Sequence, residues 1–206
     1  EKKMKHYKKK IILVCSFILI ILLETFILAK NPSFDDALKY KKRGDWENAT
    51  RTFLALLQKN KNCADCFFHL GEIEENKADY EKAAFYYENA AKINPFFYAR
   101  LGYCYQTLSK WNNSIESFNK YLKTYPNDIK IMAALGISLR KAGRIKEAEK
   151  IFKEILEIKP QNLTSIFNLY IIYSKAGNSK MKEFYYKKYK TVSNLVDSQK
   201  VIDNEN

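Results

Sequence analysis

IKIMAALGISLRKAGRIKEAEKIFKEILEIKPQN, residues 129–162, reads as two helices joined by one tight turn. Leu135, Gly136 and Leu139 fall on one face of the first helix, and Gly143 marks the turn that ends it. Ala148 and Phe152 repeat at helical spacing in the second helix. Small residues let the two helices approach closely, and the aromatic ring fills the space beyond them. Pro160 follows the second helix, where a missing N–H is harmless.

The same pattern recurs outward from this stretch with a period of 34 residues. Gly102 leads to Gly136, Trp111 to Ile145, Phe118 to Phe152, and Pro126 to Pro160. Gly143 leads to Gly177, and in the first half Gly44 leads to Ala78, Trp46 to Tyr80, Ala49 to Ala83 and Phe53 to Tyr87. On these residues the chain resembles the tetratricopeptide repeat family, whose unit is a helix pair of about 34 residues. The resemblance implies an all-α fold, a right-handed superhelix of antiparallel helix pairs over residues 30–196. Its units run from about 30 to 63, 64 to 97, 95 to 128, 129 to 162 and 163 to 196. Three residues are missing at the start of the third unit, so its first helix should be short and the stack irregular there. The fifth unit has Lys182 where alanine is usual, which fits a terminal unit with one face in water. A polar tail, 197–206, should follow, with fraying from Ser193 onward.

Ahead of the repeats, Ile11–Ala29 is apolar except at Ser16, Glu24 and Thr25. At about 1.5 Å per residue it spans most of a ~30 Å hydrocarbon core. A basic flank, residues 1–10, precedes it. The lysine excess there predicts a single pass through the cytoplasmic membrane, N-terminus in the cytoplasm and repeats on the periplasmic or extracytoplasmic side. The competing reading is a signal peptide cleaved near Ala29, which would release a soluble scaffold for envelope assembly. Export places the repeats away from nucleic acid, and none is expected as a partner. Only 6 Gly and 4 Pro occur, too few for a loop-rich or disordered chain.

Catalytic chemistry finds little footing. His6 and His69 are the sole histidines, no glycine-rich phosphate loop occurs, and no cofactor or metal is expected. Cys63 and Cys66 leave three readings open. Cys66 can fill a small-residue packing position, the two can form a local disulfide, or they can serve redox chemistry. A zinc site would need two further ligands, and Cys104 with His69 completes it poorly. Charge is uneven: residues 129–190 carry 14 basic and 5 acidic side chains, enough to attract anionic headgroups or an acidic partner.

In the family, ligands lie against the second, fifth, ninth and twelfth positions of the first helices. The resemblance therefore implies a groove through Phe68, Glu72 and Glu75, then Phe96, Ala99, Tyr103 and Gln106. It continues through Ala133, Ile137 and Arg140 to Phe167, Ile171 and Ser174. The Lys, Asn and Arg set by which one subclass clamps a peptide carboxylate is absent. Such an apolar and aromatic surface suits a protein or peptide with an apolar or amphipathic segment. The expectation is thus a non-catalytic, membrane-tethered adaptor.

Overall fold

The computed structural model describes residues 33–205, and the apolar run and its basic flank lie outside them. Among the described residues there are helices and one short 3₁₀ turn, with no strand. None of these helices is long and apolar enough to cross a membrane. The described residues divide into two units, with the boundary between Lys61 and Asn62.

In the first unit, α1 (Phe34–Lys42) and α2 (Trp46–Lys59) form one hairpin. Asp45 caps α2, its carboxylate accepting the Asn48 backbone N–H at 3.2 Å. The Phe34 and Phe53 rings meet edge to face, with centroids 5.6 Å apart.

The second unit stacks four further hairpins. They are α3 (Ala64–Asn76) with α4 (Tyr80–Ile93), α5 (Tyr98–Thr107) with α6 (Trp111–Thr124), α7 (Ile129–Lys141) with α8 (Ile145–Ile158), and α9 (Leu163–Lys175) with α10 (Ser179–Glu205). Polar N-caps start several of them: Asp79 accepts the Lys82 N–H, Asp128 those of Lys130 and Ile131, and Asn162 that of Ser165. The turn after each first helix passes through the left-handed region, at Gly44, Ala78, Ser109, Gly143 and Gly177. Glycine takes that conformation freely, whereas Ala78 (φ 60°) and Ser109 (φ 56°) hold it against their own Cβ.

The three missing residues show as a shortened α5. It has 10 residues where α3, α7 and α9 have 13. The 3₁₀ turn Pro95–Phe97 leads straight into it.

Helix pairs are locked by a glycine facing a ring. Gly71 faces Tyr87, Gly102 faces Phe118 and Gly136 faces Phe152, so closely that an added Cβ would lie 2.5, 2.4 and 2.7 Å from ring carbons. All three rings are fully buried. In the fifth unit the same frame positions are Tyr170 and Tyr186, whose two rings meet at 6.0 Å in place of a glycine under a ring. The α10 helix instead buries Tyr185 and Val192, with Tyr185 stacked on Tyr173 at 5.5 Å. Tyr186 is left 40% exposed. The tail expected to fray from Ser193 is helical through Glu205.

Candidate partner-binding groove

First helices α5, α7 and α9 lie side by side, and a hollow of about 470 Å³ opens along them. Its apolar floor is Tyr103, Ile129, Ala133 and Ile137, and Lys130 and Lys159 stand on its rim. Gln106, Asn162 and Thr164 complete the polar lining, and no carboxylate lines it. Tyr103 is half-buried and packs edge-on to Phe118 at 5.2 Å. Burial holds its hydroxyl above the ordinary phenol range, so it stays protonated and able to donate. Of the residues expected to face a ligand, the structure brings Tyr103, Gln106, Ala133 and Ile137 together here.

The twelfth-position residues have other engagements. The Glu75 carboxylate accepts from Arg100 Nη2 at 2.7 Å and from the Tyr87 hydroxyl at 2.5 Å. Gln106 Nε2 donates to the Ala134 carbonyl at 3.0 Å and to Ser138 Oγ at 2.8 Å. Arg140 Nε donates to Asn168 Oδ1 at 2.9 Å. The Tyr87 bond lies within one unit, and each of the others joins the first helix of one unit to that of the next, so these three side chains fasten the stack. Arg140 is partly desolvated by the packing, which lowers its pKa without threatening its charge.

The flanking residues divide similarly. Phe68 is half-buried and stacks on Phe97 at 4.8 Å, between the α3–α4 and α5–α6 hairpins. Glu72 sits 2.8 Å from His69 Nδ1 on its own helix. Phe167 is 44% exposed, beside Tyr170 and Tyr189. Ile171 is half-buried, and neither lines the hollow.

The expected groove left out Lys130 and Thr164, although both hold the second position of their units. Lys159 follows no rule of the frame. A buried polar chain was also hidden: Ser114 Oγ donates to the Gly102 carbonyl and lies 2.9 Å from Ser138 Oγ.

Cys63 and Cys66 are joined as a disulfide across the first turn of α3. Cys63 Sγ also faces the Cys66 backbone N–H at 3.2 Å, in the cap position that Asp128 and Asn162 hold elsewhere. Cys104 is buried, which pushes its thiol up to about 11 and leaves it unreactive at neutral pH. No group of three or more His, Cys, Asp or Glu that could hold a metal occurs among the described residues.

Three sequence models described as tetratricopeptide repeat match the chain, at residues 33–96, 100–128 and 129–162. The chain belongs to the tetratricopeptide repeat family. The TPR repeat-containing protein MJ1428 of Methanocaldococcus jannaschii is 25% identical over 169 residues, covering 79% of this chain and 30% of that protein. The chain thus spans less than a third of the length of that curated relative. Among solved structures, MamA superposes with a TM-score of 0.72 at 16% identity, covering 81% of this chain and 99% of MamA. YrrB, described as a TPR protein with an unusual peptide-binding site, gives a TM-score of 0.69 at 16% identity, covering 82% and 91%. At these identities the likeness establishes the TPR fold alone.

Proposed function

We propose that this TPR protein is a non-catalytic scaffold that holds a peptide segment of a partner in the hollow between α5, α7 and α9. The supporting observation is the composition of that hollow: an apolar floor of Tyr103, Ala133 and Ile137 beneath a rim carrying Lys130 and Lys159. Its occupant is a short apolar or amphipathic segment with a carboxylate near its edge, which the two lysines attract. A peptide site in the similarly folded YrrB agrees with this reading. The apolar run Ile11–Ala29 behind its lysine flank supports tethering in the cytoplasmic membrane with the repeats outside. Intact-mass measurement of native protein tests the tether, since a mature chain starting at Lys30 removes it.

The groove is tested by cross-linking in native membranes followed by titration of the recovered partner against variants. An aromatic anchor in such a site commonly costs about 2 kcal/mol or more when truncated, roughly thirtyfold in affinity. Tyr103→Ala with Ile137→Ala should therefore weaken binding at least that much while the helical spectrum stays intact. Unchanged affinity places the site elsewhere.

A further inference from the structure

On the outer side of α10, exposed apolar residues stand among lysines, with Lys188 half-buried and Glu183 exposed beside them. Phe184 is 53% exposed and Leu195 55% exposed. They lie eleven residues apart, about 16 Å along the helix, and within about 20° of one another around it. Lys180, Lys187 and Lys188 stand one turn before and after Phe184, flanking this line on both sides.

Several lysines of the earlier helices pair with carboxylates, while Lys123, Lys146 and Lys175 have no carboxylate partner among the described residues. Lys82 reaches Asp79, Lys92 reaches Glu88, Lys120 reaches Glu116 and Lys153 reaches Glu149. On α10, Lys187 meets Glu183 at 3.5 Å, whereas Lys180, Lys182 and Lys188 have no carboxylate partner among the described residues. Unpaired cations beside exposed apolar side chains suit an anionic surface that also accepts apolar groups. A bilayer meets both demands: its headgroups supply the charge and its acyl boundary receives the rings.

We infer that α10 lies against an anionic phospholipid surface, with Phe184 and Leu195 inserted and Lys180, Lys187 and Lys188 at headgroup level. The contact is separate from the hollow, and it does not require Ile11–Ala29 to span the bilayer. Each lysine near such a surface contributes about fivefold to partitioning, so three give roughly a hundredfold.

The test is amide hydrogen exchange of the full chain with mixed phosphatidylglycerol–phosphatidylcholine vesicles and with pure phosphatidylcholine vesicles. Peptides covering residues 180–195 should exchange about tenfold or more slowly on the anionic vesicles, and high salt should remove the difference. The triple variant Lys180→Glu, Lys187→Glu, Lys188→Glu should abolish the protection, and Phe184→Ser with Leu195→Ser should reduce it. Peptides of α7 report the fold throughout and should not change. Equal exchange on both vesicle types overturns the inference, as does protection that survives the triple variant. Protection that appears only with an acidic protein added would assign the face to a protein and overturn it too.

Discussion

Gly102→Ala isolates the glycine–ring contact that sets the spacing of three of the helix pairs. In an ordinary helix interior this change stabilises by about 1 kcal/mol. Here the new Cβ would lie 2.4 Å from Phe118 Cε1, with Cδ1 and Cζ at 2.6 and 2.8 Å. Carbon atoms in contact sit about 3.5–4.0 Å apart, so the ring would have to retreat by about 1 Å. Phe118 has no free space to retreat into, being fully buried with Tyr103 edge-on at 5.2 Å. Overpacking of that kind costs about 1–3 kcal/mol, and because three ring atoms clash we take its upper half. Subtracting the propensity gain leaves a net destabilisation of about 1–2 kcal/mol. Urea unfolding followed by far-ultraviolet circular dichroism measures it directly. Gly136→Ala, with its nearest ring atom at 2.7 Å, should cost less. Adding Phe118→Leu to Gly102→Ala should recover part of the loss, since the two changes share one space. A Gly102→Ala protein as stable as the parent, or more so, would refute the close-approach account.

Ala78→Gly and Ser109→Gly each relieve a left-handed residue and should raise stability by about 0.5–1 kcal/mol in the same assay. Alkaline titration should unfold the protein early. Burial first of all raises the folded-state pKa of Tyr87, Tyr103, Tyr173 and Tyr185 above the ordinary 10.0. The unfolded chain therefore loses these protons first, and stability is full below pH 10 and falls as pH rises beyond it. Tyr87→Phe should make that decline shallower, as read from thermal midpoints across the alkaline range. Reducing Cys63–Cys66 should lower stability by about 2 kcal/mol at most, because the loop it closes is short. Thermal melts with and without reductant check that figure.

The turns were legible because their requirement is local. A left-handed residue must end each first helix, and Gly44, Gly143 and Gly177 announce it in the repeat frame once the three-residue gap is counted. The three-residue gap was legible for a related reason: the period counts turns of helix, and α5 is shorter by that amount. The roles of Glu75, Gln106 and Arg140 were not legible, since a frame fixes the face of a helix without naming its neighbour. Their partners lie 25, 28 and 28 residues downstream. The first offset is three shorter because the gap falls between Glu75 and Arg100. The clasp is therefore a property of the stack, and it survives a shortened helix. Its chemistry changes from ion pair to amide–carbonyl to guanidinium–amide along the chain, so no residue type signals it.

The fifth unit shows how a few substitutions re-aim a whole helix. Gly136 and Phe152 become Tyr170 and Tyr186, and Ala148 becomes Lys182. A tyrosine in the glycine position bars the close approach, and a lysine on the inner face would bury an unpaired charge at a cost of several kcal/mol. Shifting the buried face by one residue turns the helix by about 100° and resolves both conflicts. Tyr185 and Val192 then enter the core, while Lys182 stays exposed and Tyr186 lies partly exposed beside Tyr170. Polar substitution at this end is therefore more than the loss of a repeat pattern. The turn that hides Tyr185 also carries Phe184 and its lysines outward, so the packing of the fifth unit creates its cationic, aromatic outer face.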